Sequence, residues 1–203
     1  MTDTRKHILD TAFSLFLTKS YKAVTMSELE KSTGLTKGAF YHYFKNKEDI
    51  FVEIVNAVFQ KQAQAISELS NVESLNEFIQ TYIQLLQVEI NEIKERMKIC
   101  ESNNNEADPM LLPLMLEAKQ NYPMFEENMK TMVQRKQNVW ERIIVKAKET
   151  GEIRPDLDAS ILAETFIALS SGLIKVMFLK RSINEVFGVV KLQYDQLYRL
   201  IKI

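Results

Sequence analysis

Thr33-Gly34-Leu35-Thr36-Lys37-Gly38-Ala39-Phe40-Tyr41-His42-Tyr43-Phe44-Lys45-Asn46-Lys47-Glu48-Asp49 is the stretch whose reading decides the fold. Gly34 stands where a short helix over residues 27–33 must end, and glycine reaches the left-handed conformation after a helix without steric cost. Leu35 plugs the corner. Thr36 follows as an N-cap whose hydroxyl can accept from the backbone N–H of Gly38 or Ala39, so a second helix starts at Lys37. At about 100° per residue, Phe40 and Phe44 share one face of that helix, and Gly38, Tyr41 and His42 share the other, with Lys37 and Tyr43 on the flanks. An apolar inner face and a basic, aromatic outer face with a glycine for close approach suit a helix lying in a major groove.

The neighbouring residues extend the pattern. Tyr21-Lys22-Ala23-Val24-Thr25-Met26-Ser27-Glu28-Leu29 offers Thr25 as the cap of the preceding helix, and Lys45-Asn46-Lys47-Glu48-Asp49-Ile50-Phe51 opens a further one. Residues 25–51 as a whole, above all Gly34-Leu35-Thr36-Lys37-Gly38, Phe40-Tyr41-His42-Tyr43-Phe44 and Lys47-Glu48-Asp49-Ile50, resemble the DNA-binding domain of the tetracycline-repressor (TetR) family of bacterial regulators. The departures concern packing: the family usually has Ala where this chain has Glu30 and Thr33, and Gly where it has Ser20. The resemblance implies that Thr25, Thr36, Lys37, Gly38, Tyr41, His42, Tyr43 and Lys47 line DNA. Side-chain chemistry agrees for most of them. Lys37 can reach a guanine edge or a phosphate, Tyr41 a thymine methyl or a phosphate, and Lys47, in the first turn of its helix, a phosphate.

Bulk properties are consistent with a helical protein. The chain has 203 residues, 46% of them hydrophobic, with only 5 Gly and 4 Pro, and no run alternates in the manner of a strand. The net charge of −1 divides unevenly: residues 1–50 hold 8 Lys+Arg against 6 Asp+Glu, leaving 18 against 21 for the remainder. The N-terminal segment, which also holds His7 and His42, is therefore the end that favours a polyanion. A single cysteine, Cys100, excludes an intrachain disulfide, and two distant histidines give no metal spacing, so no metal and no cofactor are expected. The most apolar segment, residues 161–179, contains Glu164, Ser170, Ser171 and Lys175 and should not span a membrane. A cytoplasmic location is expected.

The remaining chain reads as long helices. Residues 5–19 carry Ile8, Leu9, Ala12, Phe13 and Phe16 on one stripe and close a three-helix domain. A helix from Lys47 to about Leu69 both ends that domain and begins the next; a rod shared by two domains would carry motion from one to the other. Residues 74–100 and 124–150 form two more helices, separated by a loop at 101–108 and a short helix at 109–120 broken by Pro113. Gly151 to Asp158 ends one helix and caps the next. Polar residues interrupt three of the apolar stripes: Gln62, Glu89 and Lys136. They are candidates for the polar anchors of a ligand cavity, with Met97, Cys100, Met115, Trp140 and Phe166 as apolar walls, or else for a structural Glu89–Lys136 pair or for stripes that drift to the surface there. The last two helices, 159–180 and 183–202, carry more apolar surface than one protomer can cover. Ser170, Gly172, Phe187, Val190, Tyr194 and Leu197 are therefore expected to pair with a second copy rather than simply complete the protomer's own core.

The expected architecture is all-α, with an N-terminal three-helix helix-turn-helix domain (residues 1–46) and a larger helical ligand-binding and dimerisation domain (residues 47–203). No nucleophile motif, phosphate loop or metal cluster points to catalysis, and paired carboxylates such as Glu126-Glu127 lie off the apolar stripe and read as solvated. The resemblance implies a homodimeric repressor that binds a palindromic double-stranded operator and is released by a small-molecule effector. Two other readings remain open: a helical carrier of an apolar molecule without sequence-specific DNA binding, and a DNA-associated protein whose larger domain only dimerises.

Overall fold

A computed structural model describes residues 3–98, 111–177 and 183–203. The described residues form an all-α protein of helices α1 (Asp3–Lys19), α2 (Met26–Thr33), α3 (Lys37–Tyr43), α4 (Lys47–Glu68), α5 (Leu75–Lys98), α6 (Leu111–Asn121), α7 (Phe125–Glu149), α8 (Ala159–Met177) and α9 (Ile183–Ile201). The expected loop at 101–108 and Cys100 lie outside the described residues. Pro113 does not break α6. It is the third residue of that helix, in the first turn, where its missing N–H would have had no intrahelical acceptor.

The helix ends follow from local chemistry. Gly34 closes α2 in the left-handed conformation at φ 67°, with its N–H donated to the Lys31 carbonyl. Thr25 and Thr36 cap α2 and α3 by accepting from the N–H groups of Glu28 and Ala39, and Asn46 Oδ1 accepts from Asp49 N at 2.8 Å to start α4. Gly151, at φ 73°, ends α7, and Asp158 Oδ1 takes the Ile161 N–H at 2.9 Å to begin α8. Ser20 is the exception: it holds φ 73° without being glycine, which gives a physical reason for the family's usual glycine there.

The chain packs as two compact units, residues 1–60 with 91–127, and residues 61–90 with 128–203. This division cuts α4 after Gln60 rather than before Lys47, so α4 contributes residues to both units. The first unit is built on Ile8, Ala12 and Phe16 of α1, Leu29 of α2, Phe40 of α3, Ile50 and Phe51 of α4, and Leu114 and Ala118 of α6. Phe16, Tyr21 and Phe51 form a ring cluster with centroids 4.5 to 6.0 Å apart. Arg96 of α5 pairs with Asp10 of α1 and lies 5.2 Å over the Phe13 ring. The two family departures at Thr33 and Glu30 are linked: the buried Thr33 hydroxyl donates to the Glu30 carbonyl at 2.8 Å, so the extra polar atom is answered.

The second unit is centred on aromatic side chains. Phe78 and Tyr82 of α5, Trp140 of α7, Phe166 of α8 and Tyr194 of α9 pack on one another, each at most 6% exposed. Full burial of such side chains contributes about 1.5–3 kcal/mol each. Glu152 ties the unit together: its carboxylate accepts from the Leu75 and Asn76 N–H groups at the start of α5, and from the Tyr198 hydroxyl. A short antiparallel bridge joins Ile153 to Lys202.

Candidate nucleic-acid interface and buried polar cluster

Helix α3 divides along its length into an inner and an outer face. Phe40 is fully buried and Phe44, its C-cap, is 2% exposed, so both aromatics anchor the helix to the first unit. Thr36, Lys37, Gly38 and His42 are exposed, as is Thr25 at the start of α2, while Tyr41 and Tyr43 are half-buried. Tyr41 packs edge-on to Phe40 at 5.6 Å, and Lys37 Nζ lies 6.0 Å from the Tyr41 ring centroid. A Cβ built on Gly38 would meet nothing within 4 Å, and Gly38 shows no positive φ. Glycine inside a helix costs roughly 0.5–1 kcal/mol against alanine. Among the described residues no close contact or positive φ accounts for that cost at position 38.

Lys47 differs from the expectation. Its ammonium turns inward, donating to the Tyr21 and Val24 carbonyls at 2.8 Å each and lying 4.2 Å over the Tyr21 ring. The carbonyls of the α1–α2 connection have no helical partner, and the first residue of α4 supplies one. Its place in the first turn suggested a phosphate contact; its hydrogen bonds make it a clasp within the first unit.

The candidate effector residues separate into two groups. Gln62 and Glu89 meet, with Gln62 Nε2 donating to Glu89 Oε1 at 2.7 Å. Lys136 Nζ lies 5.0 Å over the Tyr82 ring, and Trp140 stacks on Phe166 with centroids 4.8 Å apart and planes at 12°. Burial raises the Glu89 carboxyl above its usual range, against the opposing charges of Lys136 and Lys61. Burial likewise pulls the Lys136 ammonium down to about 8, with Glu89 opposing. Met115, in contrast, belongs to the first unit, so it does not share this core. Cys100 and the side chain of Met97 lie outside what the structure describes. Tyr82, absent from the expected site, is the ring that touches both Lys136 and Trp140. Its own stripe on α5 identified it as core but could not indicate which side chains it would meet.

Three of the expected dimer residues are covered within one protomer. Ser170, Val190 and Tyr194 are at most 7% exposed within one protomer. Tyr194 donates to the Phe166 carbonyl at 2.6 Å, and the Ser170 hydroxyl meets Tyr82 at 3.1 Å. Phe187 and Leu197 are half-buried against the same core. The broad seam on α9 therefore covers α8 of its own chain. The surroundings of Gly172 lie outside the described residues. The opposite side of α9 carries exposed Val189, Leu192 and Leu200, and Ile161 of α8 is 62% exposed. Among the described residues no group of His, Cys, Asp and Glu could hold a metal, and no helix is long and apolar enough to cross a membrane.

Comparison with known proteins gives two family matches: bacterial regulatory proteins of the tetR family over residues 8–54, and the tetracyclin repressor-like C-terminal domain over residues 110–187. The transcriptional regulator AcrR of Shigella flexneri is 44% identical over 52 residues, 26% of this chain and 24% of AcrR. The transcriptional repressor NemR of Escherichia coli (strain K12) is 37% identical over 67 residues, 33% of this chain and 34% of NemR. The chain thus spans about a quarter to a third of the length of these curated relatives. A transcriptional regulator from Saccharomonospora viridis, solved in complex with choline, superimposes with a TM-score of 0.69 at 19% identity, covering 100% of both chains. That likeness establishes a shared fold.

Proposed function

The chain belongs to the TetR family of bacterial regulators, and on that premise we propose that it is a homodimeric transcriptional repressor released from a palindromic operator by a small molecule. Residues 1–46 read DNA, and residues 47–203 sense the effector and pair two copies in the cytoplasm. Gly38 carries the reading. It is a helix-interior glycine that no contact or backbone strain among the described residues requires, on the exposed face shared with Lys37 and His42, so it makes sense as the point where a helix backbone comes close to a base edge or phosphate. Lys37 and His42 supply donors beside it, and Thr25 and Thr36 add hydroxyls within reach of phosphates. Tyr41 and Tyr43 contribute through ring edges and hydroxyls. Lys47 contributes by holding α4 against the α1–α2 connection.

A second copy docks on the outward side of α9, where Val189, Leu192 and Leu200 are exposed. Such a dimer places two α3 helices at half-sites about 34–36 Å apart or a multiple of that spacing. The effector occupies the second unit; a protein of the same fold has been solved in complex with a small molecule, choline. Its binding must favour the state that cannot hold the operator, because equal affinity for both states shifts nothing.

The test begins with selection of bound duplexes from a random pool. Titration of the selected duplex against its scrambled sequence should show tighter binding of the former, in a palindromic register. Lys37→Ala and His42→Ala should each weaken binding of the selected duplex by roughly 1–3 kcal/mol. Equal affinity for selected and scrambled duplexes would remove the regulator reading in favour of a carrier.

A further inference from the structure

Helix α3, which presents Lys37, Gly38, Tyr41 and His42, ends differently from α2. Gly34 closes α2 in the left-handed conformation, whereas Phe44 leaves α3 in extended backbone at φ −138° and ψ 130°, its N–H donated to the Phe40 carbonyl at 3.3 Å. Isolated helices need roughly 12–15 residues to persist. With only 7 residues, α3 takes its direction from what holds its ends. Thr36 holds the first end. Cationic side chains hold the other: Lys45 Nζ donates to the Tyr41 carbonyl at 2.6 Å, and Arg5 of α1 reaches the carbonyl of Tyr43, the last residue of the helix, at 3.5 Å. Positive charge there also complements the helix dipole.

These two side chains differ in what stands behind them. Lys45 is exposed and four positions from its acceptor, so it moves with α3. Arg5 is anchored elsewhere. Its Nε donates to Glu53 Oε1 of α4 at 2.9 Å, its Nη2 pairs with the second oxygen of the same carboxylate, and its guanidinium carbon lies 4.4 Å from the centroid of the Phe44 ring. A planar fork gripped by both carboxylate oxygens has one orientation, unlike the point charge of a lysine. One rigid group therefore joins α1, the end of α3 and α4. Helix α1 acts on α2 in the same way: His7 Nε2 lies 3.0 Å from the carbonyl of Thr33, the last residue of α2, and because a carbonyl only accepts, the ring donates.

We propose that Arg5 is a positioning residue for DNA reading: it fixes the direction of α3 against α1 and α4, so that Tyr41, His42 and Tyr43 meet base edges in register. This rests on the reading of α3 as the recognition helix and adds to it a residue that does not itself touch DNA. Rigid placement matters for discrimination between sequences, since base edges are read by directional contacts. It matters much less for the phosphate attraction that all duplexes share.

Arg5→Met and Glu53→Gln change the charge of the first unit in opposite senses yet break the same link. Each should lower the preference of the full-length protein for the selected duplex over its scrambled sequence by about tenfold, with affinity for the scrambled duplex changed by no more than about threefold. The double variant should lose no more preference than either single one. All are measured well below the melting temperature, in samples that retain a cooperative thermal transition. If Arg5→Met does not fold, Arg5→Lys, which keeps the charge but not the fork, carries the same expectation. Preference that survives both substitutions in folded samples would make the Arg5–Glu53 pair structural only, overturning this inference and leaving the regulator reading intact. A loss of affinity for both duplexes in Arg5→Met, with a salt slope lower by about one and a gain in Glu53→Gln, would also overturn it, as the signature of Arg5 binding a phosphate directly. A wild-type protein that prefers neither duplex overturns the regulator reading and this inference with it.

Discussion

The outer face of α3 and the inner face of α7 both hold groups that the protein itself does not satisfy, yet the two differ in what that means. Lys37 and His42 are exposed, so water completes their hydrogen bonds and their presence costs nothing; only their type and spacing point to DNA. Trp140 lies in the second unit's core, where its unmatched donor lowers stability. A surface reveals a partner through the residues it displays, whereas a deficit in a packed core is a cost to the protein itself. Gly38 joins the two cases, because it sits on the surface but carries a conformational cost with no internal return.

Substitutions can break or sharpen this contrast. The largest effect should come from α9, where inward and outward positions alternate. Tyr194→Asp puts a charge into the second unit's core and should lower stability by about 4 kcal/mol or more in urea denaturation. Leu192→Glu, on the exposed side, should leave protomer stability within about 0.5 kcal/mol while converting the dimer to monomers in sedimentation. A Tyr194→Asp protein that is as stable as wild type but monomeric would return that residue to the dimer seam. Next comes Lys47→Ala. Losing a charged donor shared by two carbonyls should destabilise the first unit by roughly 2 kcal/mol, and DNA affinity should recover once the protein is measured well below its melting temperature. Affinity lost for selected and random duplexes alike in a fully folded sample would restore the phosphate role. Gly38→Ala should do the opposite of a structural lesion, raising thermal stability by about 0.5–1 kcal/mol while weakening operator binding. Unchanged operator affinity in that variant would remove the main argument for DNA contact at this position. The smallest effect is expected at Ser20. Its left-handed backbone is strained, so Ser20→Gly should stabilise by about 0.5 kcal/mol, the relief being partly offset by glycine's freer unfolded state.

The N-terminal helices were legible because their signals are local. Gly34, Thr25 and Thr36 each fix a helix end through a bond spanning three residues, and those bonds form as the spacing indicates. Lys47 was misread because its partners, Tyr21 and Val24, lie more than twenty positions away. The same limit applies in the second unit. An apolar stripe states that a side of α9 is buried but not by what, and Tyr194 met α8 of its own chain rather than a second copy. Gln62, Glu89 and Lys136 were visible as interruptions of three stripes, and the convergence of Gln62 and Lys136 on Glu89 was not, since only the fold brings α4, α5 and α7 together there. Met115 failed for the complementary reason: its apolar character is real, but its unit differs.

Glu152 has a consequence for the order in which the protein assembles. The α5 N–H groups of Leu75 and Asn76 wait for a carboxylate 77 and 76 positions downstream, and that carboxylate is in turn held by Tyr198, 46 positions further on. Contacts so distant in sequence close late, after loop entropy has been overcome. The three-helix head, whose caps are all local, can therefore form while the chain is still emerging from the ribosome. The second unit cannot secure the start of α5 until nearly the last turn of α9 has been made.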